Sequence, residues 1–187
     1  MNKNLPFERG ATYFDGDTNR ATSTGTDHIL GQEFTVKNDH GGHGHSVSSE
    51  MTLIAIRNGS SGNLSTGKGI RFDPLVAKNL HRICEDYVAS QGLYGLAIDD
   101  AYGDSYTIVP NDIFYAVLDG PVHIKTALDS VSATITGGVP LTFDASGQVE
   151  TAAANDHVIG VADVANITTN TNSDLLVWVG RKFASNF

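Results

Sequence analysis

Beyond residue 50, the hydrophobic residues fall in short runs that are rich in β-branched and aromatic side chains. Residues that favour turns follow the runs, such as the Asn-Gly pair at 58–59 and the Asp-Gly pair at 119–120. Many short strands joined by local turns are typical of a β-barrel or a β-sandwich, so the pattern predicts an all-β fold. The predicted strands are 53–56, 69–72, 106–109, 113–118, 122–126, 133–136, 139–143, 158–161 and 175–179.

The chain also contains an internal repeat. Segments 67–73 and 138–144 both place glycine first, an aliphatic residue fourth, phenylalanine sixth and aspartate last. Segments 95–99 and 160–163 align as well, with a shift of six residues relative to the alignment of the first pair. We therefore predict two degenerate copies of a small barrel-like unit, about 51–126 and 127–183, with Phe72 and Phe143 buried at equivalent positions.

Residues 73–88 fit two kinds of secondary structure. Asp73 as an N-cap, Pro74 at the first helical position and hydrophobic residues at helical spacing fit an amphipathic helix. The repeat instead places a strand at 79–84, by analogy with the second copy. The repeat favours the strand, and the helix is the alternative.

The first 50 residues differ in composition from the rest. Apolar residues make up 24% of this segment and 46% of the chain from residue 51 onward. A segment that poor in apolar residues cannot drive its own collapse, so we predict an extended N-terminal arm at 1–50, disordered or ordered by a partner, and a β-rich domain at 51–187. The alternative is an arm that wraps its own barrel or a sister subunit. The large apolar residues of the arm are the candidate partner contacts: Leu5, Phe7, Tyr13, Phe14 and Phe34.

Charge and cysteine content exclude several classes of function. Twelve Lys and Arg residues against 21 Asp and Glu residues give a net charge of −9, with no basic cluster, so we expect no nucleic-acid binding. Cys84 is the only cysteine, which excludes an intrachain disulfide and a cysteine-type zinc site. No hydrophobic run has the roughly 20 residues that span a bilayer and no signal peptide is recognisable, so we expect a soluble protein that does not contact membranes.

Segment 62–68 reads Gly-Asn-Leu-Ser-Thr-Gly-Lys and matches the pattern of a phosphate-binding loop. Such a loop needs Ser or Thr as its next residue, to hold Mg²⁺, and a helix whose N-terminus faces the phosphates. Here Gly69 follows, and then a predicted strand. We therefore expect a loop that leads into a strand and binds no nucleotide.

Candidate metal and catalytic residues are few. His40, His43 and His45 lie on a glycine-rich segment and could bind Ni²⁺, Cu²⁺ or Zn²⁺ weakly, but a solvated linker is the favoured interpretation. Asp99 and Asp100 are adjacent, and neighbouring residues on a strand point to opposite faces, which makes them a poor general acid/base pair. We therefore expect them at a solvated edge or turn. The sequence predicts no enzyme, no metal and no cofactor.

Five segments carry a family resemblance: Leu53-Ile-Ala-Ile-Arg-Asn-Gly59, Gly67-Lys-Gly-Ile-Arg-Phe72, Asn111-Asp-Ile-Phe-Tyr-Ala-Val-Leu-Asp-Gly-Pro-Val122, 137–149 and 158–163. They resemble segments of the capsid decoration, or cement, proteins of tailed bacteriophages, which have β-tulip-like barrels. The resemblance covers roughly residues 50–183, and its motifs are strands and turns without a catalytic signature.

The resemblance implies a non-enzymatic protein on the outside of an icosahedral phage head. Such a protein is made in the host cytoplasm, bridges neighbouring major capsid subunits and stabilises the shell, often as a homotrimer. In this interpretation the arm contacts the capsid. Many weak contacts on one lattice would add up to firm attachment.

Two other classes of function stay open from the sequence. One is a tail, vertex or adhesin module that binds a host glycan or receptor, for which Tyr102 and Tyr106 could supply exposed aromatic rings. The other is an enzyme with its site between subunits, which no motif supports. The number of copies on the virion would distinguish a cement protein from a tail or vertex protein.

Overall fold

The structure is a computed structural model that describes residues 5–13, 29–37, 50–72, 83–86, 95–103, 105–127, 133–154, 156–163, 167–169 and 174–180. The fold is all-β, as predicted, and a 3-10 helix covers Asp100–Tyr102. None of the helices in these ranges is long and apolar enough to cross a membrane. The strands are β1 (Glu33–Lys37), β2 (Glu50–Asn58), β3 (Leu64–Ser65), β4 (Gly69–Phe72), β5 (Ile83–Asp86), β6 (Gly95–Ile98), β7 (Thr107–Ile108), β8 (Ile113–Lys125), β9 (Ala133–Ile135), β10 (Pro140–Phe143), β11 (Val149–Thr151), β12 (Gly160–Ala162), β13 (Ile167–Thr169) and β14 (Asp174–Gly180).

Ten of these strands form one sheet, in the order β1-β2-β5-β4-β6-β8-β14-β12-β10-β11. The pairs β3–β7 and β9–β13 form two small separate sheets. The large sheet as a whole is not a closed barrel. Within it, however, β2 also pairs with β8, so the pairings of β2, β5, β4, β6 and β8 return to their starting strand.

The two halves of the large sheet have the same strand order. In the first half β5, β4, β6 and β8 are neighbours in that order, and in the second half β11, β10, β12 and β14 are. A parallel contact recurs as well: Asn58 of β2 pairs with Cys84, and Thr126, just after β8, pairs with Val149. Because the second half repeats both features, the pairing follows the repeat found in the sequence.

Single backbone hydrogen bonds recur at matching positions. The amide of Asp99 donates to the carbonyl of Tyr115 at 3.2 Å, and the amide of Asp163 donates to the carbonyl of Leu176 at 3.0 Å. Asp99 follows β6 and Asp163 follows β12, while Tyr115 and Leu176 lie in β8 and β14. The correspondence therefore holds at the level of individual residues.

The 13-residue strand β8 belongs to both halves. Its N-terminal part pairs with β2 and β6, and its C-terminal part pairs with β14. One half therefore passes into the other within β8, near Gly120. This position differs from the predicted division of the units after residue 126, because one continuous strand supplies the last edge of the first unit and the first edge of the second.

Two hydrophobic clusters fill the structure. One lies inside the strands of the first unit, around Ile54, Ile98 and Phe114. The other combines the interior of the second unit with the opposite face of β2 and β8. Phe72 is 3% exposed in the first cluster and Phe143 is 2% exposed in the second, so both are buried at the ends of equivalent strands, as predicted.

The ring of Phe143 packs closely on β4. A Cβ added at Gly69 would lie 2.5 Å from this ring, a distance that real Cβ atoms do not adopt. The start of β4 therefore needs a residue without a side chain, which the bare spacing of glycines in the sequence did not indicate.

The ambiguous segment contains a strand where the structure describes it. β5 covers Ile83–Asp86, between β2 and β4. This agrees with the strand alternative at residues 83 and 84. Residues 73–82, where the helix was to begin, lie outside the described residues.

We expect Phe72→Ala and Phe143→Ala each to lower the free energy of unfolding by about 3–5 kcal/mol, because each leaves a cavity in a buried cluster. Urea unfolding measures the change. Phe34→Ala is the matched control, since Phe34 is only partly buried and its loss should cost less. A cost below about 1 kcal/mol at either buried site would contradict equivalent core positions for the two rings.

Candidate functional site

Residues 5–13, here called the N-terminal strap, lie on the sheet of the same chain. At the end of the strap, Tyr13 and Ile113 exchange two backbone hydrogen bonds of 2.9 Å and 2.7 Å across the start of β8. Leu5 and Phe7 pack as partly buried residues against the larger hydrophobic cluster. The strap thus covers the outer face of β8, the face opposite the interior of the first unit.

Aromatic stacking holds the middle of the strap. The Phe7 ring lies 4.2 Å from the ring of Tyr115, with an angle of 10° between the planes. Phe34 of β1 meets the same tyrosine edge-on, at 5.9 Å. The Tyr115 hydroxyl also donates to the Phe7 carbonyl at 3.3 Å. Offset stacking and edge contacts each add stability beyond the buried area.

A buried ion pair fixes the strap two residues later. Arg9 donates from Nε and from one terminal nitrogen to the two carboxylate oxygens of Asp99, both at 2.6 Å. The side chain of Asp99 is 0% exposed and that of Arg9 is 12% exposed. Asp100 lies 3.6 Å from the same guanidinium. This geometry is the strong, two-bond form of the arginine–carboxylate contact.

Burial dominates the electrostatics of this site. It raises the pKa of Asp99 above its ordinary value, while the Arg9 guanidinium opposes this shift. Burial also raises the pKa of Tyr115 to about 12 and raises the pKa of Tyr102 further. Both phenols therefore stay protonated at neutral pH and act as hydrogen-bond donors.

Gly10 lets the strap pass close to the loop after Asp99. Its φ is +85°, and a Cβ there would lie 2.6 Å from the carbonyl oxygen of Ala101. The Tyr102 hydroxyl donates to the Ala11 carbonyl at 2.8 Å, and the Thr12 and Tyr106 hydroxyls lie 3.1 Å apart. Tyr102 is 5% exposed. This tyrosine therefore anchors the strap and offers no open ring for a glycan.

The carboxylates at 99 and 100 are not at a solvated edge, so the expectation from the sequence is wrong for this pair. Asp99 is fully buried. Oδ2 of Asp100 accepts a hydrogen bond from the backbone amide of His123 at 3.2 Å and lies 2.9 Å from Nδ1 of the His123 ring. Arg9 and His123 are distant in sequence from both aspartates. No local pattern could have indicated these contacts, which depend on the sheet pairing.

The described parts of the predicted arm bury their apolar residues against their own chain. β1 pairs with β2, and Ile29 and Leu30 are 7% exposed. Leu5, Phe7 and Phe34 are partly buried in the same cluster. This packing agrees with the alternative that the arm wraps its own domain, since the two-sided sheet supplies the surface. Phe14 lies outside the described residues.

Tyr13 is the exception among the predicted contacts that the structure describes. It is 44% exposed, although its backbone is fixed by Ile113. Val109 is exposed to the same degree. Tyr13 is therefore the candidate contact residue that is held in place and still accessible to a partner.

The loop that resembles a phosphate-binding loop leads into β4, as predicted, and not into a helix. Its residues form one wall of a cleft of about 310 Å³ together with Ser146 of the turn between β10 and β11. His40, His43 and His45 lie outside the described residues. Across the ranges that are described, no group of three or more His, Cys, Asp or Glu side chains could hold a metal ion.

No protein-family model matches the sequence, and no curated protein matches it. One solved structure that is similar to this chain is the N base of head fiber gp8.5 from bacteriophage phi29. The match has a TM-score of 0.43 and 11% sequence identity, and it covers 72% of this chain and 98% of the phi29 chain. A likeness this distant does not decide what this chain does.

We expect Arg9→Met to lower the free energy of unfolding by about 3–5 kcal/mol at neutral pH, because it leaves the buried Asp99 without its counter-ion. The double variant Arg9→Met/Asp99→Asn should recover a large part of the loss. Lys37→Met on the exposed edge of β1 is the matched control. Urea unfolding of the wild type, Arg9→Met, Asp99→Asn and the double variant measures the coupling.

The cost of Arg9→Met should depend on pH. Without Arg9, burial and the neighbouring Asp100 carboxylate raise the pKa of Asp99, opposed only by the hydrogen bond from the Ala101 amide, so the folded pKa lies further above its unfolded value of about 4. The folded variant then binds more protons than the unfolded chain, so its stability falls as pH rises through this window. The difference from the wild type should be small below about pH 4. A cost that does not change with pH would contradict the burial of an unpaired carboxylate.

Proposed function

We propose that this chain is a non-enzymatic capsid decoration protein that binds the outside of a phage head and bridges neighbouring major capsid subunits. The observation that carries the proposal is the duplicated unit within one continuous sheet. A duplicated unit offers two similar surfaces, and a shell of identical subunits offers repeated equivalent sites. One chain could therefore engage two neighbours, and two linked contacts bind more firmly than either alone.

The family resemblance agrees with the parts of the chain that build this sheet. The resembling segments contain β4, β10 and β12, most of β2 and of β8, and the turn that leads into β11. These elements come from both units. The resemblance thus concerns the repeated framework, which is the part that the bridging proposal needs.

We propose that this acidic protein is made in the host cytoplasm and acts in the virion. A net charge of −9 disfavours contact with the packaged nucleic acid and favours a partner surface that carries basic residues. We infer that the partner is the major capsid protein and that no membrane is involved. Catalysis is not part of this function.

Tyr13 is the residue through which the strap would contact the capsid. Tyrosine combines a large apolar ring with a hydroxyl and is enriched among the residues that dominate binding energy. Its backbone is already fixed, so binding would not need to order the chain there. Leu5, Phe7 and Phe34 would act indirectly, by holding the strap on β8.

The test is the addition of purified protein to heads that lack it, followed by quantitative mass spectrometry of the bound copies. We expect hundreds of copies per head and a higher rupture temperature of the decorated heads. Tyr13→Ala should reduce occupancy at a fixed protein concentration by about tenfold or more, as for loss of a dominant contact. Val109→Ala, equally exposed in the wild type, is the matched control and should bind normally.

The outcomes separate the alternatives. About a dozen copies or fewer would indicate a tail, vertex or adhesin role instead of decoration. If Tyr13→Ala reaches full occupancy, the decoration proposal stands, but the strap is not the part that contacts the capsid. No binding of the wild-type protein to intact heads would contradict the proposal.

We also propose that the protein forms a homotrimer, the state that suits a local three-fold position on the shell. Sedimentation equilibrium should give three times the chain mass of 19.8 kDa. A monomer at every concentration tested, including those that saturate heads, would contradict the trimer without affecting the decoration assay.

A further inference from the structure

A cleft lies where the two units meet, and the proposed capsid contact does not use it. Its volume is about 310 Å³, at the lower end of the range for sites that hold small molecules. Sites of this kind occur preferentially at the junctions of structural units. The loop and strand at 63–70 line one wall, and Ser146 lies on the other.

The two walls of the cleft are tied together. The amide of Gly69 donates to the carbonyl of Gly147 at 2.6 Å, which joins β4 to the turn of the second unit. Asp144 holds this turn, because its carboxylate accepts the amides of Ser146 and Gln148, both at 2.8 Å. The polar groups of the turn and of the loop therefore face each other across a fixed distance.

The chemistry of the lining combines one cation with neutral polar groups. Lys68 contributes an ammonium, Ser65 and Ser146 contribute hydroxyls, and Asn63 contributes an amide. Leu64 and Ile70 are each 1% exposed and belong to the interior cluster of the first unit, so the accessible surface of the cleft is mainly polar. One ammonium suits one carboxylate, and hydroxyls and an amide suit the hydroxyls of a sugar.

The fold does not require a lysine at position 68. The amide of Ile98 donates to the carbonyl of Lys68 at 3.2 Å, and at the equivalent place the amide of Ala162 donates to the carbonyl of Val139 at 3.3 Å. Valine therefore makes the same backbone contact in the second copy. The positive charge occurs only in the copy whose loop borders the cleft, in a protein with a net charge of −9.

We propose that this cleft binds a sugar acid, with its carboxylate on Lys68 and its hydroxyls on Ser65, Ser146 and Asn63. Nucleotides are not the ligand, because β4 follows the loop in place of a helix and Gly69 supplies no hydroxyl for Mg²⁺. This site lies outside the proposed capsid contact and does not depend on it.

The test is a titration of the full ¹⁵N-labelled chain with glucuronate, followed by NMR. We expect saturable shifts of the amides of Ser65, Gly69 and Ser146, with a dissociation constant in the millimolar range. Glucose lacks the carboxylate and acetate lacks the hydroxyls, so each should bind at least tenfold more weakly. Lys68→Met should also weaken glucuronate binding at least tenfold.

Lys37→Met, on the exposed edge of β1, is the matched control and should bind as the wild type does. The thermal unfolding midpoint of Lys68→Met checks that this variant is folded. The proposal is overturned if glucuronate shifts none of these amides, if acetate binds as well as glucuronate, or if inorganic phosphate or ATP binds more tightly. Unchanged binding in a folded Lys68→Met protein also overturns it. Occupancy on phage heads should not change in this variant, so failure here and failure of the decoration proposal are distinguishable.

Discussion

The rest of the structure depends on one strand that two units share. β8 pairs with β2 and β6 along its first part and with β14 along its second part. Along its first part it is buried on both faces: Phe114 and Ala116 belong to one hydrophobic cluster, Ile113 and Tyr115 to the other. Because strand side chains alternate between faces, such a strand needs cover on both sides. The interior of the first unit supplies one cover, and another part of the chain must supply the second.

The N-terminal residues supply this second cover. The strap and β1 lie on the outer face, and Phe7 and Phe34 both contact Tyr115. The ion pair of Arg9 with the buried Asp99 then fixes the path of the strap. A buried carboxylate is costly without its partner, so this pair specifies where the strap lies more than it adds net stability. The segment is thus part of the folded domain and still presents Tyr13 at the surface.

Duplication produces two kinds of surface: surfaces that occur in both units, and the junction between the units, which occurs once. The repeated framework gives two similar units, which suits a partner with repeated sites. The junction between the units is not repeated, because the loop of one unit there meets the turn of the other. Lys68 lies at this junction, where the other copy has Val139. The shared backbone does not require this difference between the copies, which is why the proposed ligand site lies at the junction.

Alternation and turn residues act over a few neighbouring positions, so the sequence predicts the all-β class, most of the strands, the repeat and the burial of Phe72 and Phe143. That β8 serves both units, with their boundary near Gly120, is visible only in the folded sheet. Only the folded sheet also shows that Leu5 and Phe7 pack on their own chain and that Asp99 is buried against Arg9, 90 residues away. The composition of residues 1–50 indicates a segment that lacks the apolar residues for a core of its own, but composition carries no information on which surface covers it. Long-range strand pairing determines which surface the N-terminal residues cover, because the outer face of β8 exists only once the sheet has formed.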